Sequence, residues 1–219
     1  MWVGPKIGSA VFIVGMPGAG KSSLARDLAG ANNWALLSGS SLLRDYIRGS
    51  DASYAEEVRK AMYKGYAIRS EIVLPLYRMF FATHAPQSVV IDGNPADTNQ
   101  LLEETALLTE MGYVTDQVAA CVLFCPPSLV LQRLHNRRTC AVCALDSNEP
   151  VCPQCGHQTI SRRDDQDESA IHERVKLFSR HVIHAVRSVF PIHRRLSLRG
   201  THPKTYLLGQ IQRRFNFCA

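Results

Sequence analysis

The chain has 219 residues, 46% of them hydrophobic and 20% charged, the make-up of one globular domain with room for an insertion and not of a disordered or collagen-like polymer. No apolar run is long enough to cross a bilayer. The net charge of +6 is uneven, because residues 1–110 hold ten basic and eleven acidic side chains whereas residues 111–219 hold fifteen and eight. Such a distribution favours a polyanionic partner, either nucleic acid or the phosphates of a small ligand.

In chain order, the apolar run 10–14 predicts a buried strand that leads straight into a glycine-rich loop and not into a leader cleavage site. No secretion signal is read there, and a cytoplasmic location is expected. A helix is expected over 21–31, a strand over 34–37, helices over 53–64 and 69–84, and a strand over 88–91. A helix over 98–111, a strand over 118–124, helices over 127–137 and 167–189, and a weaker strand over 196–198 complete the pattern. Near-continuous apolar strands joined by helices imply a parallel sheet covered on both faces, with ligands gathering at the carboxyl ends of the strands. Residues 139–160, rich in Cys, Pro, Asn and Gln, interrupt this order and read as an insertion.

Directly after the first strand stand Gly15, Met16, Pro17, Gly18, Ala19, Gly20, Lys21 and Ser22, which satisfy G-x-x-x-x-G-K-[ST] in the strand, loop, helix setting that the motif needs. Glycines let backbone N–H groups turn inward around a phosphate, and the following helix adds its positive dipole end. Lys21 can reach the outer phosphates and the Ser22 hydroxyl can join a Mg²⁺ shell. Asp92, at the end of the run Val89-Val90-Ile91, is placed to orient a magnesium-bound water, although Asp-Gly is also a common turn.

Cys140-x-x-Cys143 and Cys152-x-x-Cys155 form two chelating pairs eight residues apart. Four thiolates complete a tetrahedral Zn²⁺ shell, and a segment with hardly any apolar residues would draw its folding energy from the ion. A redox or iron site and unliganded thiols are the alternatives, and His157 could replace one cysteine. Cys121, Cys125 and Cys218 read as structural or incidental.

Taken together, these residues resemble the adenylate kinase group of nucleoside monophosphate kinases. Gly15 to Ser23 is similar to the family's G-x-P-G-x-G-K-x-[ST], and SGSSLLR, from Ser38 to Arg44, to its S-T-G-D-x-L-R. Met62-Tyr63-Lys64-Gly65 with Ile68 resembles M-x-x-G-x-x-V, and Asp92-Gly93-Asn94-Pro95 with Gln100 resembles D-G-F-P-R-x-x-x-Q. Arg133, Arg137 and Arg138 match R-x-x-x-R-R at a mobile lid, while Arg162 or Arg163, then Asp164-Asp165 and Arg174, resemble R-x-D-D and the next helix's arginine. Gly200-Thr201 and Pro203, around His202, look like the G-T-x-P beside the donor base. The resemblance implies an α/β, P-loop three-layer αβα fold with a five-stranded parallel sheet. One domain, 1–219, would carry a helical acceptor-binding insertion over 38–67 and a small zinc-bound lid over 138–163.

It further implies transfer of the ATP γ-phosphoryl to a nucleoside monophosphate, AMP first, by a monomer with no membrane or nucleic-acid partner. Lys21, Arg137, Arg162, Arg174 and Asp92 would serve the transfer. The loop residues 15–23, Arg133 on the adenine, Arg137 and His202 would hold ATP, and Gly39, Arg44, Ile68, Gly93 and Gln100 the acceptor. Three departures fall on the acceptor side: Ala96 stands in place of arginine, Asn94 of phenylalanine and Ser41 of aspartate. The Asp164-to-Arg174 spacing is one residue longer than the family's, so either Arg163 and Asp165 take the matching roles or the helix enters one residue later. A nucleotide-binding switch without catalysis, and a zinc-ribbon nucleic-acid binder, are the competing readings.

Overall fold

A computed structural model describes residues 8–49, 53–64, 66–140, 142–143, 145–162 and 165–215. Gly65, Arg163, Asp164 and Cys218 lie outside them. Five strands, β1 (Ala10–Gly15), β2 (Ala35–Ser38), β3 (Val89–Asp92), β4 (Val118–Phe124) and β8 (Arg195–Arg199), form one sheet in the order β2-β3-β1-β4-β8. Every pairing in it is parallel.

The period-two alternation of the strands divides the core into two layers. Ala10, Phe12 and Val14 face one side with Val89, Ile91, Ala120 and Val122. That side is covered by α4 (Ser70–His84), α5 (Thr98–Glu110) and α8 (Ile183–Val189), through side chains such as Phe81, Leu101 and Val186. Val11 and Ile13 face the other, with Ala119, Cys121 and Leu123, under α1 (Lys21–Asn32), α6 (Pro127–His135) and α9 (Lys204–Phe215). Central β1 is apolar along its whole length because helices bury it from both faces. The chain leaves β1 toward both flanks of the sheet, which opens a crevice at the carboxyl ends of β1, β3 and β4.

Two helices that sequence periodicity does not predict appear here, α2 (Gly39–Tyr46) and α9; α2 and α3 (Ala55–Lys64) precede α4 between β2 and β3. The helix expected over 167–189 is interrupted: α7 (Glu168–Leu177) passes through a π turn, Phe178–Val182, before α8. Phe178 and Val182, at the two ends of that turn, are both fully buried in the core. The helix expected over 127–137 stops at His135, since the chain turns there into the antiparallel lid sheet β6-β5-β7. Its strands are β5 (Arg138–Cys140), β6 (Asp146–Ser147) and β7 (Thr159–Ser161). No helix among the described residues is long and apolar enough to cross a membrane.

Candidate active site

The phosphate loop closes on the end of β1. Gly18 and Gly20 adopt left-handed backbone with φ of 71° and 92°, and Gly20 caps α1, so the first amides of that helix face the crevice. The loop after β8 presses against it. A Cβ at Gly200 would stand 2.3 Å from the Ala19 carbonyl oxygen, so only glycine fits there. Arg133 ties the two loops, donating to the Gly200 carbonyl at 3.0 Å and the Gly18 carbonyl at 3.3 Å. Together with Lys21, Ser22, Ser23, Arg137 and His202 they line a cavity of about 390 Å³. The His202 ring packs on Tyr206 at 4.8 Å between centroids.

A second cavity, of about 240 Å³, lies on the other side of the loop and is walled by Pro17, Gly39, Ile68, Gly93 and Gln100, with Arg162 and Arg174. Both cavities include Lys21, Ser22, Arg137 and Asp146. Burial pulls the Lys21 ammonium below the usual lysine range, Asp92 opposes that, and Arg137, Arg162 and Arg174 add to it. Asp92 is buried, and burial raises its carboxyl above the ordinary range against the pull of Lys21 and a Ser22 hydrogen bond. Its Oδ1 is buried without a hydrogen-bond partner.

The arginines are organised by Asp165, whose side chain is 0% exposed. Arg137 forks onto it, Nε to Oδ2 at 2.7 Å and a terminal nitrogen to Oδ1 at 2.8 Å. Arg174 donates to Oδ1 at 3.0 Å and the Arg162 Nε stands 3.7 Å from Oδ2. Of the two adjacent acidic positions in the sequence, Asp165 is therefore a described hub for arginines from α7 and both ends of the lid. Asp165→Ala is expected to destabilise the chain by about 2–4 kcal/mol, because it leaves partly buried guanidinium groups without their buried countercharge. Thermal melting measures the loss, and inorganic triphosphate should restore part of it by supplying the missing anion. An unchanged melting temperature would mean that this carboxylate does not hold the arginines.

The acceptor side is built differently from the expectation at several points. Asn94 clamps the chain after β3 to the end of β1, its Oδ1 accepting from the Gly15 N–H and its Nδ2 donating to the Gly15 carbonyl, both at 2.9 Å. Gln100 is anchored at both ends: its Oε1 accepts from the Ala96 N–H and its Nε2 donates to the Ile68 carbonyl at 2.9 Å. Arg44 does not line this cavity. It lies in an adjoining one of about 170 Å³ with Ser22, Ser40, Ser41, Asp92 and the lid residue Cys143. There it donates to the Ser40 and Ser41 hydroxyls at 3.4 and 3.3 Å, and its Nε is buried with no partner. Burial lowers the Arg44 pKa, and nearby Arg162 adds to the effect.

Three residues of the site escape the sequence reading. Asp146 in the lid accepts from Thr139 at 2.7 Å and stands 3.5 Å from Arg137. The Tyr77 hydroxyl is wedged between Gly39 and Gly93, whose added Cβ atoms would meet it at 2.9 and 3.3 Å. Glu104 is buried in the wall of the second cavity. Glu104 follows Gln100 by one helical turn, a spacing that was available in the sequence; Asp146 and Tyr77 carry no motif and are brought in by folding alone.

In the lid, the sulfurs of Cys140, Cys143, Cys152 and Cys155 all lie within 4.8 Å of one another. Cys140 and Cys155 sulfurs are 3.4 Å apart, and Cys143 and Cys152 sulfurs 3.5 Å. A Zn²⁺ at about 2.3 Å from each thiolate would spread them only slightly, so the donor set fits the ion. His157 is exposed, with Nδ1 3.0 Å from the Cys155 carbonyl oxygen, and is not part of the cluster.

A family model described as an AAA domain matches residues 14–152, more than half of the chain. The adenylate kinase of Acidothermus cellulolyticus is 29% identical over 171 residues, which are 74% of this chain and 77% of that protein. The adenylate kinase of Thermotoga neapolitana is 26% identical over 172 residues, 74% and 77% of the two chains. That of Clostridium tetani is 24% identical over 210 residues, 92% and 95%. With its phosphate loop at the carboxyl end of a central parallel strand, its converging arginines and its four-cysteine lid, the chain carries the P-loop domain of that family model and belongs with the adenylate kinase family of phosphotransferases.

Proposed function

We propose that this protein transfers the γ-phosphoryl group of ATP to a nucleoside monophosphate, AMP first among them. An oxygen of the acceptor phosphate attacks the γ-phosphorus, the bond to the β–γ bridging oxygen breaks, and ADP and a nucleoside diphosphate leave. The observation that carries this reading is that two cavities share Lys21, Ser22, Arg137 and Asp146, so that a donor in one and an acceptor in the other meet at the phosphate loop. Two anionic groups must approach there, and catalysis is positioning and charge neutralisation.

On this reading the loop residues 15–23 hold the triphosphate, Arg133 and His202 border the donor base, and Lys21 with Arg137, Arg162 and Arg174 neutralises the moving phosphoryl. Gly39, Ile68, Gly93 and Gln100 shape the acceptor pocket. Arg44 and Arg162 receive the acceptor phosphate, and the buried, unmet Nε–H of Arg44 is what a phosphate oxygen would fill. The segments 38–67 and 138–163 close over the two substrates. The unpartnered Asp92 Oδ1 beside the Ser22 hydroxyl fits a hard cation, so these two residues would hold Mg²⁺. When bound, the ion adds positive charge to the donor phosphates.

The test is ADP formation from ATP with AMP, CMP, UMP and GMP in turn, alongside ATP affinity. Acceptor-dependent ADP formation, fastest with AMP, is expected. Tight ATP binding without acceptor-dependent turnover would replace this reading with that of a nucleotide-driven switch, which Ala96 in place of an acceptor arginine favours.

A further inference from the structure

We propose that the edge of the sheet formed by β8 docks on an anionic lipid bilayer, with Ile192 entering the interface and a ring of arginines on the headgroup phosphates. This inference does not depend on the transfer reading. The resemblance drawn from the sequence implies no membrane partner, and the departure comes from a charge asymmetry that folding gathers in one place.

Residues 174–219 hold ten Lys and Arg and no Asp or Glu, and residues 117–145 hold no acidic residue either. The sheet order sets these two stretches side by side, since β4 and β8 are neighbours and α6, α8 and α9 cover them. That edge is therefore cationic with no countercharge of its own. Lys204, at the crevice end, is answered by Asp27 at 2.9 Å, whereas no described carboxylate pairs with Arg187, Arg194, Arg195 or Arg214. Asp116, just ahead of β4, is the acidic residue that the neighbouring strand brings to the same end of the sheet.

These four arginines meet at the amino end of β8. The chain leaves α8 through Phe190 and Pro191 into a single 3₁₀ turn, Ile192–Arg194, and enters β8 at Arg195. The Arg195 guanidinium folds back onto the carbonyls of Arg187 at 2.7 Å and Phe190 at 3.2 Å. Arg214, from the last turn of α9, donates to the Ile192 carbonyl at 2.7 Å. The turn is thus pinned by helices from both faces of the sheet, and docking it costs little ordering. Each pinning guanidinium keeps further N–H donors for a phosphate oxygen.

At the crest stands Ile192, 72% exposed, more than any other large hydrophobic side chain described. An apolar tip inside a cationic ring fits a bilayer, where headgroup charge lies over hydrocarbon. A nucleic acid strand would be met by aromatic platforms, and the flanking Phe190 and Phe215 are both buried. This end of β8 is opposite the crevice, which opens at the carboxyl ends of the parallel strands, so a docked molecule keeps its two cavities and its lid free.

The test is co-sedimentation of the full chain with vesicles of phosphatidylcholine alone or mixed with phosphatidylglycerol, beside binding to duplex DNA at equal phosphate concentration. Binding to the mixed vesicles is expected, weakened by added salt, with none to phosphatidylcholine alone. Arg187→Gln with Arg194→Gln should weaken vesicle binding about 20-fold, at roughly fivefold per arginine, and the same pair changed to lysine should retain it. Ile192→Ser should weaken vesicle binding about 10-fold or more and leave duplex binding unchanged. Melting temperature and ATP affinity should stay at wild-type values in every variant. No binding to the mixed vesicles, or equal binding to both kinds, would overturn the proposal. Vesicle binding that Ile192→Ser leaves intact, or tighter binding to duplex DNA than to vesicles, would overturn it in favour of a nucleic-acid face.

Discussion

Lys21→Met is expected to lower ATP-dependent turnover by about 10²–10³-fold while the protein stays folded and keeps its lid metal. Lys21 is where the two cavities meet, opposite Asp92 and flanked by Arg137, Arg162 and Arg174. No neighbour can take its place, because Arg137 and Arg162 approach from the two ends of the lid and Arg174 from α7, and Asp165 holds Arg137 and Arg174. Stability should not fall. The lowered pKa means that the folded chain holds this proton less tightly than the unfolded chain does, so the charge opposes folding at neutral pH, and methionine removes it. The measurements are initial rates of ADP formation at saturating substrates, a thermal melt and zinc content. Normal turnover in Lys21→Met would take the phosphate loop out of the reaction.

The double substitution Cys143→Ser, Cys155→Ser is expected to abolish zinc retention and to melt the lid while the sheet domain persists. Among its described residues the lid has no apolar core of its own: Val142, Val151 and Ile160 are 56%, 53% and 58% exposed, while Cys140, Cys152 and Thr159 are buried. A four-thiolate ion would stand where a core otherwise would, and structural zinc contributes on the order of 10–16 kcal/mol of binding free energy in small domains. Loss of the lid would release Arg137, which borders β5, and Asp146 on β6, and would take Arg162 off Asp165. Turnover should then fall by about 10²-fold or more, as positioning is lost. Metal analysis should read one zinc in the wild type and none in the variant, and limited proteolysis should cut within 138–162 only in the variant. A variant that is metal-free yet protease-resistant and fully active would remove the metal's structural role.

Much of this molecule can be read in one dimension. The strand runs, the phosphate loop and the two cysteine pairs are local patterns, because a parallel strand buried on both faces must be apolar throughout and a chelating loop must space its donors closely. The alternation of strands and helices likewise implies the layered sheet that the five parallel strands form. α2 was not legible, since only Gly39 in it is buried and its serines carry no apolar period; α9 buries Leu207, Ile211 and Phe215, but its short stripe stands among basic residues.

The phosphate loop and the two cysteine pairs were thus set by the residue order alone. Which partner each arginine and carboxyl meets was decided by the tertiary structure. Asp165 draws together arginines up to 28 positions away, and Asn94 clamps Gly15 across 79. Gln100, similar by motif to a ligand-reading residue, becomes an anchor for Ile68, 32 positions upstream, while Glu104, in no motif, is left facing the cavity. The physical reason is range: backbone conformation and chelation depend on neighbours a few residues away, whereas desolvation and charge pairing depend on whatever the fold packs alongside, and no local pattern encodes that.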